Sequence, residues 1–437
     1  MKNSVTYVII SFVLLCGMFV SHINAHDQIP GGPQTRPIVI ENATLHVGDG
    51  SVMVRSSLRL EAGVFVQVAR QVQRPKNAIV IDGTGKHVYP GLIDSYTDLG
   101  LREITGVDVS VDNTERGDRN PNVRSWVAFN PDSELIPVAR AGGVLLAHVV
   151  PGGRFLQGQS GVLNLDGWST EDMLVNGPTG LAINWESVVA QGNDAKENAK
   201  RYDEEIAKLD ELFDQTKRYG ASIENDANTP TDVRLESLLP VVLGQRTVFV
   251  RADRQATIES AIAYFTSRDI PIVVCGGADA MHCVEALKTH DIPVILVATY
   301  RLPRRRHDSY DALYTLPAQL QTAGVRFAIA GEGSGYPGGA SNVRNLAYQA
   351  GVAVAYGLSR EHAVRAITGS AASILGVDDK VGTLTSDHHA TFIIADGDIL
   401  ETETQVIDAY VQGRRVDLNS RHTQLFKKYQ QKGARSQ

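Results

Sequence analysis

After a Pro/Gly-rich linker from Pro30 to Pro37, residues 38–89 alternate apolar and polar side chains in short runs broken by Gly and Asn. An alternation with period two turns one face of a strand to a core and the other to water. It predicts antiparallel strands at Ile38-Val39-Ile40, Leu58-Arg59-Leu60, Val64-Phe65-Val66-Gln67-Val68 and Ile79-Val80-Ile81. The same texture returns in Thr391-Phe392-Ile393-Ile394 and in Val406 to Val411, followed by Gly413-Arg414. A small β-sandwich formed from the N- and C-terminal segments accounts for both.

Between these ends the polar alternation disappears. Val144 to Ala147, Thr247 to Val250, Ile272 to Val274, Val294 to Val297 and Phe327 to Ala330 are continuous apolar runs, as expected of parallel strands covered on both faces. Helical segments such as Ala256 to Ser267 and Asp279 to Thr289 separate several of them, a β-then-α rhythm that predicts an α/β barrel or an open parallel sheet. Residues 194–219 are the clearest helix, with Tyr202, Ile206, Leu209, Phe213 and Tyr219 on one stripe expected to pack on the domain.

Composition changes this picture little. The 437 residues carry 42 basic and 49 acidic side chains, a net charge of -7, so no overall pull draws the protein to nucleic acid. The N-terminus says more: Lys2, an apolar run from Val5 to Val20, and Ala25 before a cleavage point form the pattern of an export signal. The run is short for a bilayer crossing, so no membrane association is expected after cleavage, and the expected compartment is secreted or bacterial periplasmic. Of three cysteines, Cys16 lies in the signal, and Cys275 and Cys283 read as two buried thiols, with a disulfide the alternative.

The segment Val80 to Asp94, ending Tyr89-Pro90-Gly91-Leu92-Ile93-Asp94, resembles the barrel entry of the amidohydrolase superfamily, especially its imidazolonepropionase-like branch. The resemblance continues in Ala366-Ile367-Thr368, Ala371-Ala372-Ser373-Ile374-Leu375-Gly376 and Val381-Gly382-Thr383-Leu384. It implies a TIM-like (β/α)8 barrel with a composite β-sandwich. The expected division is a signal at 1–25, a linker at 26–37, a sandwich from 38–89 plus 382–418, a barrel at 90–381 and a tail at 419–437. It also implies hydrolysis of amide or cyclic amide C–N bonds by a divalent metal, held at strand ends by a His-x-His pair, further histidines and an aspartate that takes the proton of water.

The sequence departs from that pattern at each aligned strand end. The His-x-His positions hold Tyr96 and Asp98, Arg251 and Gly276 stand where the next histidines are expected, and Glu332 replaces the aspartate. No metal or other cofactor is therefore predicted. Asp98, Arg251 and Glu332 are the candidate catalytic residues, with Arg251 expected to stand in for the lost cation between the two carboxylates. Tyr96, Asp253 and Gly276 are expected to line the barrel mouth. An all-oxygen site for a hard cation at Asp98, Glu332 and Asp94 is the competing arrangement.

Other motifs read as structural. Arg301 to His307 is expected to be a solvated loop balanced by Asp308 and Asp311, and Gly333 to Gly338 matches a dinucleotide loop by letter but carries Pro337. Gly158-Gln159-Ser160-Gly161 reads as a loop, and Ser160 has no recognisable base partner. Asp132 or Ser133, and Ser169 or Thr170, are expected helix caps, and Trp168 and Trp185 buried aromatics. Two functions follow: an exported hydrolase with an altered site acting on a small polar molecule, or an inactive barrel that binds a ligand or a catalytic relative in a homo- or hetero-oligomer.

Overall fold

The computed structural model of the chain describes residues 29–104, 106–189, 194–333 and 338–434. The export signal, the first residues of the linker and Ser334 to Pro337 of the Gly-rich loop lie outside the described residues. The architecture is mixed α/β, with two eight-stranded sheets. Among the described residues no helix is long and apolar enough to cross a membrane.

The first sheet takes strands from both ends of the chain: β1 (Ile38–His46), β2 (Val52–Glu61), β3 (Val64–Ala69), β4 (Ile79–Asp82) and β5 (His87–Pro90) from the front. Its C-terminal strands, which close the chain's strand list, are Phe392–Ala395, Val406–Val411 and Arg414–Arg415. Phe392–Ala395 runs antiparallel to β5, so residues 300 positions apart in sequence share one ladder. Where two separate sandwich sheets were expected, hydrogen bonding forms one continuous sheet. It curls until its β3 edge meets residues near the C-terminal strands, with Phe65 N–H donating to the His388 carbonyl at 2.9 Å and Val64 bridging His389. Curling lets a single sheet enclose its own core, in which Ile40, Leu58, Phe65, Phe392 and Tyr410 are buried together.

The second sheet is the barrel: β6 (Leu92–Thr97), β7 (Val144–Val149), β8 (Leu156–Asn164), β9 (Leu174–Asn184), β10 (Val248–Ala252), β11 (Ile272–Gly276), β12 (Val294–Val297) and β13 (Phe327–Ala330), in that spatial order. Five of its pairings are parallel, but the repeat is broken because β8 runs antiparallel to both neighbours. Residues 150–155 alone link β7 to β8, too short for the crossover of a dozen or more residues that a parallel return needs. This corrects the reading of Gly158 to Gly161 as a loop: they lie in β8 and are buried. The first and last strands close on each other through a side chain, since buried Asp94 at the end of Pro-Gly-Leu-Ile-Asp accepts the Gly331 N–H at 3.1 Å and the Tyr96 N–H at 3.2 Å.

The long helix Ala195–Asn225 starts at Asp194, whose carboxylate accepts the Lys196 and Glu197 N–H groups. Its stripe packs on the domain as expected, with Leu209 and Phe213 buried and Phe213 beside Tyr264. Ser169 caps the helix Thr170–Met173, and Ser133 Oγ accepts the Leu135 N–H at 3.3 Å at the start of the helix Leu135–Ala141, both as expected. Trp185 is fully buried, but Trp168 is 72% exposed, against the expectation of a buried ring. Cys275 and Cys283 are free and buried.

Candidate active site

The C-terminal ends of the parallel strands converge on a cavity of about 590 Å³. Tyr96 of β6, Asn184 of β9, Arg251 of β10 and Val297 of β12 reach it, as do Asp253 and Glu332 just beyond their strands. Gln157 of β8, Glu186 just after β9 and the loop residues Arg102, Asn113, Arg301 and Arg304 complete the wall.

Asp253 is the centre of the charge arrangement. It is buried, and three guanidinium groups share its carboxylate: Arg251 at 2.8 Å and Arg304 at 2.9 Å on Oδ2, and Arg301 at 3.3 Å on Oδ1. Its N–H donates to Glu186 Oε1 at 2.7 Å, and Glu186 in turn accepts from Arg254. Burial pushes the Asp253 carboxyl up, but Arg251, Arg301 and Arg304 outweigh it and hold it below its ordinary value. Burial likewise opposes the charge on Arg251, and Asp253 more than restores it. One carboxylate facing three cations leaves guanidinium donors over, which makes this wall receptive to an anion.

The expected bridge from Arg251 to Asp98 and Glu332 is not what forms. Asp98 Oδ2 lies 3.1 Å from Arg102 Nε and accepts from Asn113 Nδ2 at 3.2 Å, while Glu332 Oε2 accepts from Asn342 Nδ2 at 2.8 Å. Each carboxylate finds a nearer partner on its own loop, and Arg251 turns to Asp253 two residues along, its guanidinium carbon 5.9 Å from the centre of the Tyr96 ring. Burial raises the Asp98 carboxyl, with Arg102 opposing, and it also raises the Tyr96 phenol. The loop Arg301 to His307 is largely exposed and Arg305 pairs with Asp308 at 2.9 Å as expected, but Arg301 and Arg304 also line the cavity and Arg305 reaches Asp279 at 2.7 Å.

No family model matches the sequence. The curated protein Amidohydrolase tasK of Hapsidospora irregularis is 21% identical over 431 residues, covering 86% of this chain but 43% of that protein. The chain thus spans less than half the length of that relative. The crystal structure of an amidohydrolase from Thermotoga maritima MSB8 superposes with a TM-score of 0.76 at 23% identity, over 87% of this chain and 99% of that one. The fold is that of the amidohydrolases. A Xaa-Pro dipeptidase with bound methionine and a molinate hydrolase share it more distantly, each with a TM-score of 0.52 and 14% identity, over 87% and 89% of this chain and 99% and 96% of theirs.

Within the amidohydrolase fold, Gly276 shows why a side chain is missing at its strand end. Its φ is +111°, and a Cβ there would lie 2.6 Å from Asp253 Oδ1, so the carboxylate occupies the space a histidine would need. Among the described residues no three His, Cys, Asp or Glu side chains converge to hold a metal ion. Among the described residues Asp94, Asp98 and Glu332 do not form a cation site: Asp98 is held by Arg102 and Asn113, and Glu332 by Asn342.

Two features escaped the sequence reading. Ser160 does have a base partner: its Oγ lies 2.8 Å from His148 Nε2, while His148 Nδ1 lies 2.8 Å from the Ser95 carbonyl. That carbonyl can only accept, so Nδ1 carries the proton and Ser160 donates to Nε2. Both side chains are fully buried between strands, and burial lowers the imidazole to about 4, so the pair is a neutral link inside the barrel. The second feature is a set of acceptors. Gln157 and Asn184 line the cavity, and their side-chain oxygens are buried with no hydrogen-bond partner among the described residues; Gln157 is oriented by its Nε2 donating to the Gly153 carbonyl at 3.0 Å. Only proximity in the fold reveals them, since neither sits in a motif.

Proposed function

We propose that the protein is a hydrolase of C–N bonds whose barrel mouth takes a small polar molecule joining an anionic group to an amide N–H. The observation that carries this reading is the meeting of surplus guanidinium donors around Asp253 with the amide side chains of Gln157 and Asn184 in one cavity. A carboxylate on the arginines sets the substrate amide beside Gln157 and Asn184. The amidohydrolase fold supplies the class of reaction, as an analogy of fold.

The donor set at the mouth does not fit the divalent metal of the resembled family. Tyr96 keeps its phenolic proton, Gly276 offers no side chain, and Arg251, Arg301 and Arg304 crowd the centre with positive charge. A metal cation added to these three would be repelled. The chain's own residues provide a different route: Glu332, fixed by Asn342, takes a proton from water, and the water oxygen attacks the amide carbonyl carbon. Negative charge developing on the carbonyl oxygen is met by the guanidinium groups, the C–N bond breaks, and Glu332 returns its proton to the leaving nitrogen.

Metal analysis of the purified chain, with turnover of N-acyl amino acids and cyclic amides measured before and after chelation, tests this. Expected are no stoichiometric metal, activity insensitive to chelation, and a loss of at least about a hundredfold in kcat for Glu332→Gln. Stoichiometric zinc, or unchanged kcat in Glu332→Gln, overturns the route; binding without turnover overturns hydrolysis. Export to the periplasm or the medium is proposed with it, and N-terminal sequencing of protein from those compartments checks it, the expected first residue being His26.

A further inference from the structure

A second cavity, also of about 590 Å³, lies beside the first, between the end of β11, the arginine loop and the helix Ala312–Ala323. Asp253 and Arg304 line both cavities, so the ion pair between them is the partition. The walls differ in character. Ala278, Met281, Leu313 and Leu316 give the second chamber an apolar side, whereas the first is lined by charged and amide groups.

The partition is built so that it can open at low cost. The Arg304 side chain is 41% exposed, and Asp253 keeps Arg251 and Arg301 when Arg304 leaves, so no buried carboxylate is orphaned. The loop on either side of the movement stays pinned, because Arg305 holds Asp279 and Asp308. An anion entering the first chamber offers Arg304 a new partner and draws it off Asp253.

We infer that the second chamber is a subsite for an apolar arm of the substrate, opened when the substrate's own anionic group takes Arg304 from Asp253. Resting on the function proposed above, this narrows the substrate to an amide with a carboxylate or similar anion at one end and an aliphatic or aromatic group of several carbons at the other. Arg304 is then a specificity-determining residue, and the chamber sets the length of the arm.

Calorimetric titration of the full chain with N-alkylsulfonylglycines from methyl to octyl tests this, since these keep the carboxylate and N–H and resist hydrolysis. Affinity is expected to rise about two- to fourfold per added methylene until the chamber is filled. In Met281→Trp, and in Gln319→Trp at an exposed helical position on the rim, the octyl-to-methyl affinity ratio is expected to fall to near one. Circular dichroism of both variants establishes that they fold, and the exposed site of Gln319 keeps at least one of them informative. A wild-type ratio near one, or a ratio unchanged in folded variants, overturns the subsite while methyl-compound binding leaves the first chamber standing. Failure of every compound to bind overturns the anion-binding mouth itself and the subsite with it.

Discussion

Asp94 and Asp253 are both buried carboxylates, but they meet burial in opposite ways. Asp253 is compensated by three cations, whereas Asp94 has only two backbone N–H donors, and its Oδ2 lacks a partner among the described residues. Burial therefore raises Asp94 to about 7, with the Gly331 and Tyr96 N–H groups opposing and Asp98 adding to the rise. The folded state then holds a proton that the unfolded chain releases near pH 4, so this residue's contribution to stability falls as pH climbs from about 4 to about 7. Asp94→Asn keeps an acceptor for both N–H groups and has no proton to lose. Its melting temperature minus that of the wild type is expected to rise across that window, by an amount equivalent to at most roughly 4 kcal/mol, and to level off above pH 7. A difference that is flat with pH contradicts the assignment.

At the level of elements, the mouth depends on how each strand ends. β11 ends in Gly276 because Asp253, one residue beyond β10, needs the room, so two neighbouring strand ends are mutually fitted. Gly276→Ala is expected to destabilise the protein by about 2–4 kcal/mol, read from chemical denaturation, through the positive φ and the collision with Asp253. Legibility followed periodicity here. β7, β10, β11, β12 and β13 were visible as apolar runs, and the helix Ala195–Asn225 as a stripe. β8 was hidden, since Gly158 and Gly161 interrupt its pattern and read as turn residues; in the fold, Val123 and Trp126 crowd those positions and admit only a glycine's small size.

For the whole molecule, the composite sheet joins the two ends of the chain into one cooperative unit. Phe392 is fully buried, stacks on Tyr410 with ring centres 4.6 Å apart, and belongs to a strand paired with β5. Phe392→Ala is expected to cost about 3–5 kcal/mol and to lower the melting temperature of the chain as a single transition. Two separate transitions would show instead that the sheet and barrel unfold independently.

By itself the sequence determined the alternation that makes the terminal sheet, the buried runs of the barrel, the resemblance to amidohydrolases and the absence of imidazole at the aligned strand ends. These are local properties, set by side-chain polarity and period. Partner choice was decided only in three dimensions. Arg251 went to Asp253 rather than Asp98 or Glu332, Arg301 and Arg304 reached the same carboxylate from their loop, and Ser160 met His148 across adjacent strands. A charge or a hydroxyl has several chemically acceptable partners along a chain, and the one it takes is the one that packing brings within about 3 Å while both are shielded from water.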